Sequence, residues 1–409
     1  MASWRKGKRA TSIRGGAGIF LNSRNPAFSN DAQVQTSPFS PTVSFTNPAG
    51  GFHDPYQGVN NPFPLPFPVP HDFVFPTPVR VYSWDASHFS LQTTTVYNWN
   101  LTIERQLRSD VVARIAYVGS RTNHLLENEN LNPAVYIPGS PLANDARRPF
   151  QPYTNIIQST FSGNAWYNSM QLTVEKRLSR GFTVTANYTL AKSNDNVPFG
   201  TDNTSPQLNS DIAMSPYIAN FKMLDTGVSD FDVHQIFITS YLWQLPGPSC
   251  SNALVCTVAG GWQLSGIWSV QSGLPLSINA GLDRSQTGIG FDKGQLVSTN
   301  PYGSGACGNR APCVDQLDPN AFALPALGTY GNIAKSLLRG PGLFNTDFGV
   351  SKAFTIREGM TVNFRAEFFN FFNRANFNNP VNTVSAGGFG AILSARDPRI
   401  GQLALKLNF

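Results

Sequence analysis

Met170 to Leu190 reads MQLTVEKRLSRGFTVTANYTL. Met170, Leu172, Val174, Lys176 and Leu178 alternate with Gln171, Thr173, Glu175 and Arg177. After Ser179-Arg180-Gly181 the alternation resumes, with Phe182, Val184, Ala186, Tyr188 and Leu190 on one side and Thr183, Thr185, Asn187 and Thr189 on the other. Strict alternation is the mark of a strand with two chemically different faces, and a short Gly-containing break joins two such strands as a hairpin. A three-residue turn would set Leu178 across from Phe182 and Leu172 across from Tyr188, which puts both apolar rows on one face.

Tyr97 to Val118 repeats the construction. Trp99, Leu101, Ile103 and Leu107 lead into an Arg108-Ser109-Asp110 turn, and Val111, Ala113, Ile115 and Tyr117 continue the apolar row. This register sets Glu104 across from Arg114, a favourable cross-strand pair on the polar face. Two architectures accommodate such a pattern: a β-sandwich with its polar face in bulk water, or a transmembrane barrel with its apolar face in lipid.

Connection lengths favour the barrel. Alternating segments are expected near 11–22, 95–107, 110–122, 165–179, 181–193, 230–246, 260–279, 343–355, 359–373 and 398–409, about ten strands. Short or moderate connections alternate with long ones throughout, as in outer-membrane barrels with short periplasmic turns and long extracellular loops. Structureless loops of such length are uncommon in compact water-soluble domains. Both termini then fall on the periplasmic side. The expected fold is all-β: an antiparallel up-and-down transmembrane β-barrel of about ten strands, a partial barrel, open or incompletely closed, forming a single unit over 1–409.

Composition agrees. The 409 residues contain 13% charged residues, 12% aromatics, 35 Gly and 30 Pro, which excludes an all-helical chain and a disordered one. The net charge of +6 is concentrated in Arg5, Lys6, Lys8, Arg9 and Arg14, so no basic stripe for nucleic acid is present. The start carries no apolar signal-peptide region, and no apolar run is long enough for a membrane helix. Barrel strands escape that last test because only every second residue faces lipid.

At the C-terminus Leu403, Leu405, Leu407 and Phe409 alternate with polar or small residues, so the chain ends in mid-strand on an aromatic residue. In water that edge is an aggregation template; in a barrel it is the closing strand, and these four residues are its expected assembly signal. Tyr97, Trp99, Tyr117 and Tyr188 fall toward the long loops and Phe182, Trp243 and Trp262 toward the short turns, as two headgroup-level girdles would. Lys176, in the apolar row near a turn, is placed to snorkel.

Several segments resemble a known family. Thr11-Ser12-Ile13-Arg14-Gly15-Gly16-Ala17-Gly18-Ile19-Phe20 is similar to a mid-barrel strand of TonB-dependent outer-membrane receptors of the Oar-like kind. Trp99–Arg105, Ala116–Ser120, Tyr167–Gln171, Gly261–Gly266, Phe364–Asn370 and Asp397-Pro398-Arg399 resemble later strands of that family, in order. The resemblance implies a bacterial outer-membrane location, lipid as the surrounding medium, an extracellular ligand of unknown identity, and no cofactor. It also implies a plug domain and an energy-transducing TonB system as partners of the intact receptor, whose barrel has about 22 strands. The sequence looks like the last ten, with plug domain and signal peptide absent, and is not expected to transport alone. A self-contained passive channel or surface barrel, and a secreted β-sandwich adhesin, are the alternatives.

Candidate site residues follow from this frame. Cys250 with Cys256, and Cys307 with Cys313, lie in two connections at equal spacing. Two local disulfides are favoured over free thiols or metal, since the topology separates the pairs across the membrane. Asp230, Asp232 and His234 alternate, which admits a metal but more simply a polar strand entry. Thr361, Asn363, Arg365 and Glu367, with Asp347 on the preceding strand, form a lumen row that braces the wall or holds a plug, as Glu104 and Arg114 do elsewhere. The proline-rich stretch from Asn61 to Pro70 is stiff and aromatic; Phe63, Phe67, Phe73 and Phe75 are its candidates for ligand contact. No assembled acid–base or nucleophilic set marks an enzyme.

Overall fold

The computed structural model describes residues 2–4, 10–22, 47–61, 79–84, 93–197, 212–213, 224–247, 253–290, 292–304 and 314–409. Its strands are β1 (Ala2–Trp4), β2 (Thr11–Asn22), β3 (Val79–Trp84), β4 (Thr94–Arg108), β5 (Val111–Asn130), β6 (Tyr153–Ser179), β7 (Phe182–Asp195), β8 (Gln235–Gln244), β9 (Trp262–Gln271), β10 (Leu343–Arg357), β11 (Met360–Phe369) and β12 (Ile400–Asn408), besides several two-residue strands. All except β3 follow one another in sequence order as neighbours in a single antiparallel sheet. The expected up-and-down wall is therefore observed, with ten long strands plus β1. It does not close: among the described residues β12 pairs with β11 alone, and β2 pairs with β4 and the short β1. No helix among the described residues is long and apolar enough to cross a membrane.

The β6–β7 hairpin pairs Leu172 with Tyr188 and Val174 with Ala186, as the alternation requires. The turn differs from expectation. Arg180 (φ 51) and Gly181 (φ 74) are both left-handed, which is a two-residue type I′ turn, and the surplus residue is absorbed by a register shift between Lys176 and Ser179. Ser179, not Leu178, consequently faces Phe182. The type I′ turn matches strand twist better than the three-residue form. Lys176 turns toward the end of the hairpin, donating from Nζ to Ser179 Oγ and to the Phe182 carbonyl, each at 2.8 Å.

Register fixes what each face carries. Ile13, Ile103, Ile115 and Leu172 lie in one cross-strand row, which continues through Tyr188 and Phe237. This apolar face is open: Leu101, Ile103, Ile115 and Tyr117 are each more than 40% exposed, and Leu403 and Leu405 about 75%. The polar face is the more covered one, with Ala116, Ser169, Ala191 and Ser193 buried. Among the described residues no second sheet packs on the apolar rows. A water-soluble protein rarely exposes apolar surface so continuously; hydrocarbon is the medium that suits it. Tyr97 and Trp99 stand toward the long loops as expected, whereas Tyr188 sits at mid-height of β7, level with Leu172, and Tyr117 lies one row from it, level with Leu190.

Two features exceed the expected plan. β5 and β6 run to 20 and 27 residues, far longer than the 9–11 that span a bilayer, so this hairpin projects beyond the wall. Its outer end is tied by Asn132, whose Nδ2 donates to the carbonyls of Phe150, Tyr153 and Thr154 at 2.8–3.0 Å. Second, the described residues of the long connections 272–342 and 370–399 fold together into a cap with its own hydrophobic core of Leu276, Ile278, Leu317, Ala321, Phe322, Ile333, Leu338 and Phe389. Phe322 and Phe389 meet edge to face at 5.2 Å. Among the described residues the hydrophobic core therefore sits in the loops, because the wall sends its own apolar side chains outward.

Candidate functional site: the inner wall and the loop cap

The polar face of β2, β4 and β5 converges on one carboxylate. Glu104 stands opposite both Ser12 and Arg114 in register. It accepts from Arg114 at 2.9 Å and meets Arg14 at 3.2 Å. Arg14, assigned from sequence to the basic start, is thus a wall residue. The three side chains are partly solvated, so each pair is worth about 0.2–1 kcal/mol. A double-mutant cycle of Glu104→Gln with Arg114→Gln is expected to return a coupling in that range, read from denaturant unfolding in detergent; zero coupling would show the contact to be idle.

At the other edge Arg365 and Glu367 pair with each other along β11 at 2.8 Å, and Glu367 also accepts from Gln402 on β12. Asp347 does not join them. It accepts from Asn345 Nδ2 at 2.8 Å and from the Asn370 backbone N–H at 3.1 Å, which fixes the end of the β10–β11 hairpin. The register explains this, since Ser351 rather than Asp347 faces Arg365.

Asp230, Asp232 and His234 precede β8 and form no metal-ligand group among the described residues. Each holds a neighbouring segment instead. Lys335, from the cap, lies 2.6 Å from Asp195 at the end of β7 and 3.7 Å from Asp230, and donates to the Val197 carbonyl at 2.7 Å. Arg339 pairs with Asp232, whose other oxygen accepts from the Ser193 backbone N–H at 2.6 Å. His234 Nδ1 lies 2.7 Å from the Ala191 carbonyl. A third cap cation, Lys293, faces buried Asp225 at 3.6 Å. Sequence reasoning found Asp230 and Asp232 but not their cations, Lys335 and Arg339, which lie more than a hundred residues away.

Inside the cap a polar cluster faces the β5–β6 loop. Asp283 accepts from the backbone N–H groups of Thr287 and Gly288 and from Asn144 Nδ2 at 2.7 Å, while Ser285 N donates to Asp292 at 2.6 Å. Burial pushes the Asp292 carboxyl above the ordinary carboxylate range, and pushes Tyr330, beside Thr287, up to about 12. Folding of the cap thus makes the Asp292 carboxyl easier to protonate than it is in the unfolded chain. Its contribution to stability is greatest at low pH and falls as pH rises from the ordinary carboxylate value through the raised one.

Cys256, in the short helix Ala253–Ala259, is disulfide-bonded; Cys250, Cys307 and Cys313 lie outside the described residues. So do Phe63, Phe67, Phe73 and Phe75.

Comparison with known proteins agrees with the architecture. The profile of the family described as "Outer membrane beta barrel domain" matches residues 2–402. No curated protein is significantly similar in sequence. Among solved structures, the outer membrane transporter YddB from Escherichia coli is 11% identical with a TM-score of 0.42, over 78% of this chain and 33% of that one. FpvA of P. aeruginosa, solved with bound pyoverdine, is 8% identical with a TM-score of 0.43, over 100% and 32%. The iron transporter FrpB from Neisseria meningitidis is 11% identical with a TM-score of 0.37, over 80% and 32%. The chain spans about a third of the length of these proteins. The wall of outward apolar rows and the match along nearly the whole sequence lead to one conclusion: this chain belongs to the outer membrane β-barrel domain family of the bacterial outer membrane.

Proposed function

We propose that the chain is the C-terminal barrel portion of a TonB-dependent receptor that handles a bulky extracellular ligand. The observation that carries this reading is the sheet's edge at β12, unpaired among the described residues, together with a folded cap over one end of the wall. A wall with unpaired backbone groups is unstable in lipid unless further strands complete it, and a cap with its own core is a surface for capture. In this reading the inner-wall groups Glu104, Arg114, Arg365, Glu367 and Asp347 brace the wall against a plug domain. Leu403, Leu405, Leu407 and Phe409 lie on the strand that closes the complete barrel. Phe63, Phe67, Phe73 and Phe75 lie in a ligand-contacting loop, and Cys250–Cys256 and Cys307–Cys313 are local disulfides.

Deleting Phe409 is expected to impair membrane insertion, measured as loss of heat-modifiable gel migration; undiminished insertion would remove the closing-strand role. The reading as a whole is tested by the DNA upstream of Met1. A continuous frame encoding a plug domain and additional strands is expected, and ligand uptake through that longer product should require a functional TonB system. An upstream stop codon followed by a signal peptide joined directly to this barrel would contradict it and favour a passive channel.

A further inference from the structure

On the apolar face, the rows nearest the long loops differ from those below. One row reads Ile19, Tyr97, Arg121, Trp166 and Asn194 across β2, β4, β5, β6 and β7. The next row toward mid-membrane ends on Lys192. Trp99 lies flat over Gly119, where a Cβ would come within 2.3 Å of the indole. Beside it is an open groove of about 610 Å³ lined by Ile19, Tyr97, Trp99, Arg121 and Asn123.

Two cations project here without a carboxylate partner among the described residues. Arg121 donates from Nε to Asn123 Oδ1 at 3.0 Å, Lys192 is exposed, and neither forms an ion pair among the described residues. Near the short turns the same face also carries Arg105, exposed and without a partner among the described residues, but two lysines there are spent internally. Lys176 is held by the Ser179 and Phe182 groups, and Lys352 donates to the Val258 carbonyl at 2.8 Å and lies over the Trp262 ring. An uncompensated cation beside hydrocarbon is unfavourable. A phosphate group is the natural counter-ion for Arg and Lys, and aromatic rings suit the headgroup level.

We propose that Arg121 and Lys192 together bind the phosphate of a phosphorylated lipid headgroup in the outer leaflet, with Tyr97, Trp99 and Trp166 packing against the rest of that lipid. Two strand spacings and one two-residue step separate the Cα atoms of the cations by about 12 Å, so both long side chains reach one headgroup. The site depends on membrane residence and not on the receptor reading.

The test uses the 409-residue chain extracted from outer membranes in mild detergent and stripped of lipid. It is offered a bisphosphorylated outer-leaflet glycolipid, the same glycolipid with its phosphates removed, or inorganic phosphate alone, and bound lipid is counted by native mass spectrometry. The phosphorylated lipid should be retained about tenfold better than the dephosphorylated one, the factor for one charge-assisted hydrogen bond. Arg121→Gln with Lys192→Gln should erase that preference, and Arg121→Lys with Lys192→Arg should restore most of it. Wild-type gel migration establishes that each variant is folded, and the lipid comparison on the unaltered chain stands whether or not the variants fold. Equal retention of both lipids, unchanged preference in the double Gln variant, or displacement by inorganic phosphate at matching concentration overturns the proposal; the last would assign the site to free phosphate.

Discussion

Lys335→Met is expected to loosen the attachment of the loop cap to the wall by about 3–5 kcal/mol, the usual cost of breaking one side of a buried ion pair. The Lys335 side chain is 2% exposed and Asp195 is 10% exposed, so removing the ammonium leaves a carboxylate with little access to water. The Val197 carbonyl loses its donor as well. Asp195→Asn placed on the Lys335→Met background should recover much of the loss, because the stranded charge disappears. Hydrogen exchange over residues 272–342 reads the effect directly. Protection unchanged in the single variant would show that the cap is held by its apolar core alone.

Ile115→Arg should destabilise the inserted wall by about 2–4 kcal/mol, the penalty for a basic side chain on the lipid face of a barrel near the bilayer midplane. Ile115 lies in register between Ile103 and Leu172, in the middle of the apolar rows. Asn100→Arg places the same charge on the opposite, polar face of the adjacent strand, and should change stability by no more than about 0.5 kcal/mol. Unfolding from lipid vesicles by guanidinium measures both. Equal penalties would mean that the two faces see the same medium.

How much of this was legible depended on how locally each feature is encoded. The wall strands repeat every two residues, so Met170–Leu190 alone yields strand, face and partner, and Glu104 finds Arg114 across a tight turn. The turn itself was misjudged by one residue because a bulge and a two-residue turn leave the same alternation behind. The outer extension of β6, from Tyr153 to Asn164, was not legible. It mixes polar and apolar residues without a period, since neither of its faces meets lipid, and its order comes from side chains such as Asn132. The cap was the larger omission. Its core draws Leu276, Leu317, Ile333 and Phe389 from connections far apart in sequence, each contributing too few residues to show a period. Likewise Lys335 and Asp195 are 140 residues apart. The one usable signal for the attachment was the Asp230, Asp232, His234 spacing, whose acids serve cap cations.

The central claim is that the alternating apolar rows of the wall face hydrocarbon and the polar rows face an aqueous interior. Nitroxide labels placed one at a time from Val111 to Asn123, in lipid vesicles, test it through collisions with oxygen and with a water-soluble nickel chelate. The account predicts a two-residue period. Oxygen access should be high at Ala113, Ile115 and Tyr117, strongest near Ile115, while the chelate reaches Val112, Arg114 and Val118. Labels at 113, 115 and 117 shielded from both reagents, as they would be between two packed sheets, would contradict it.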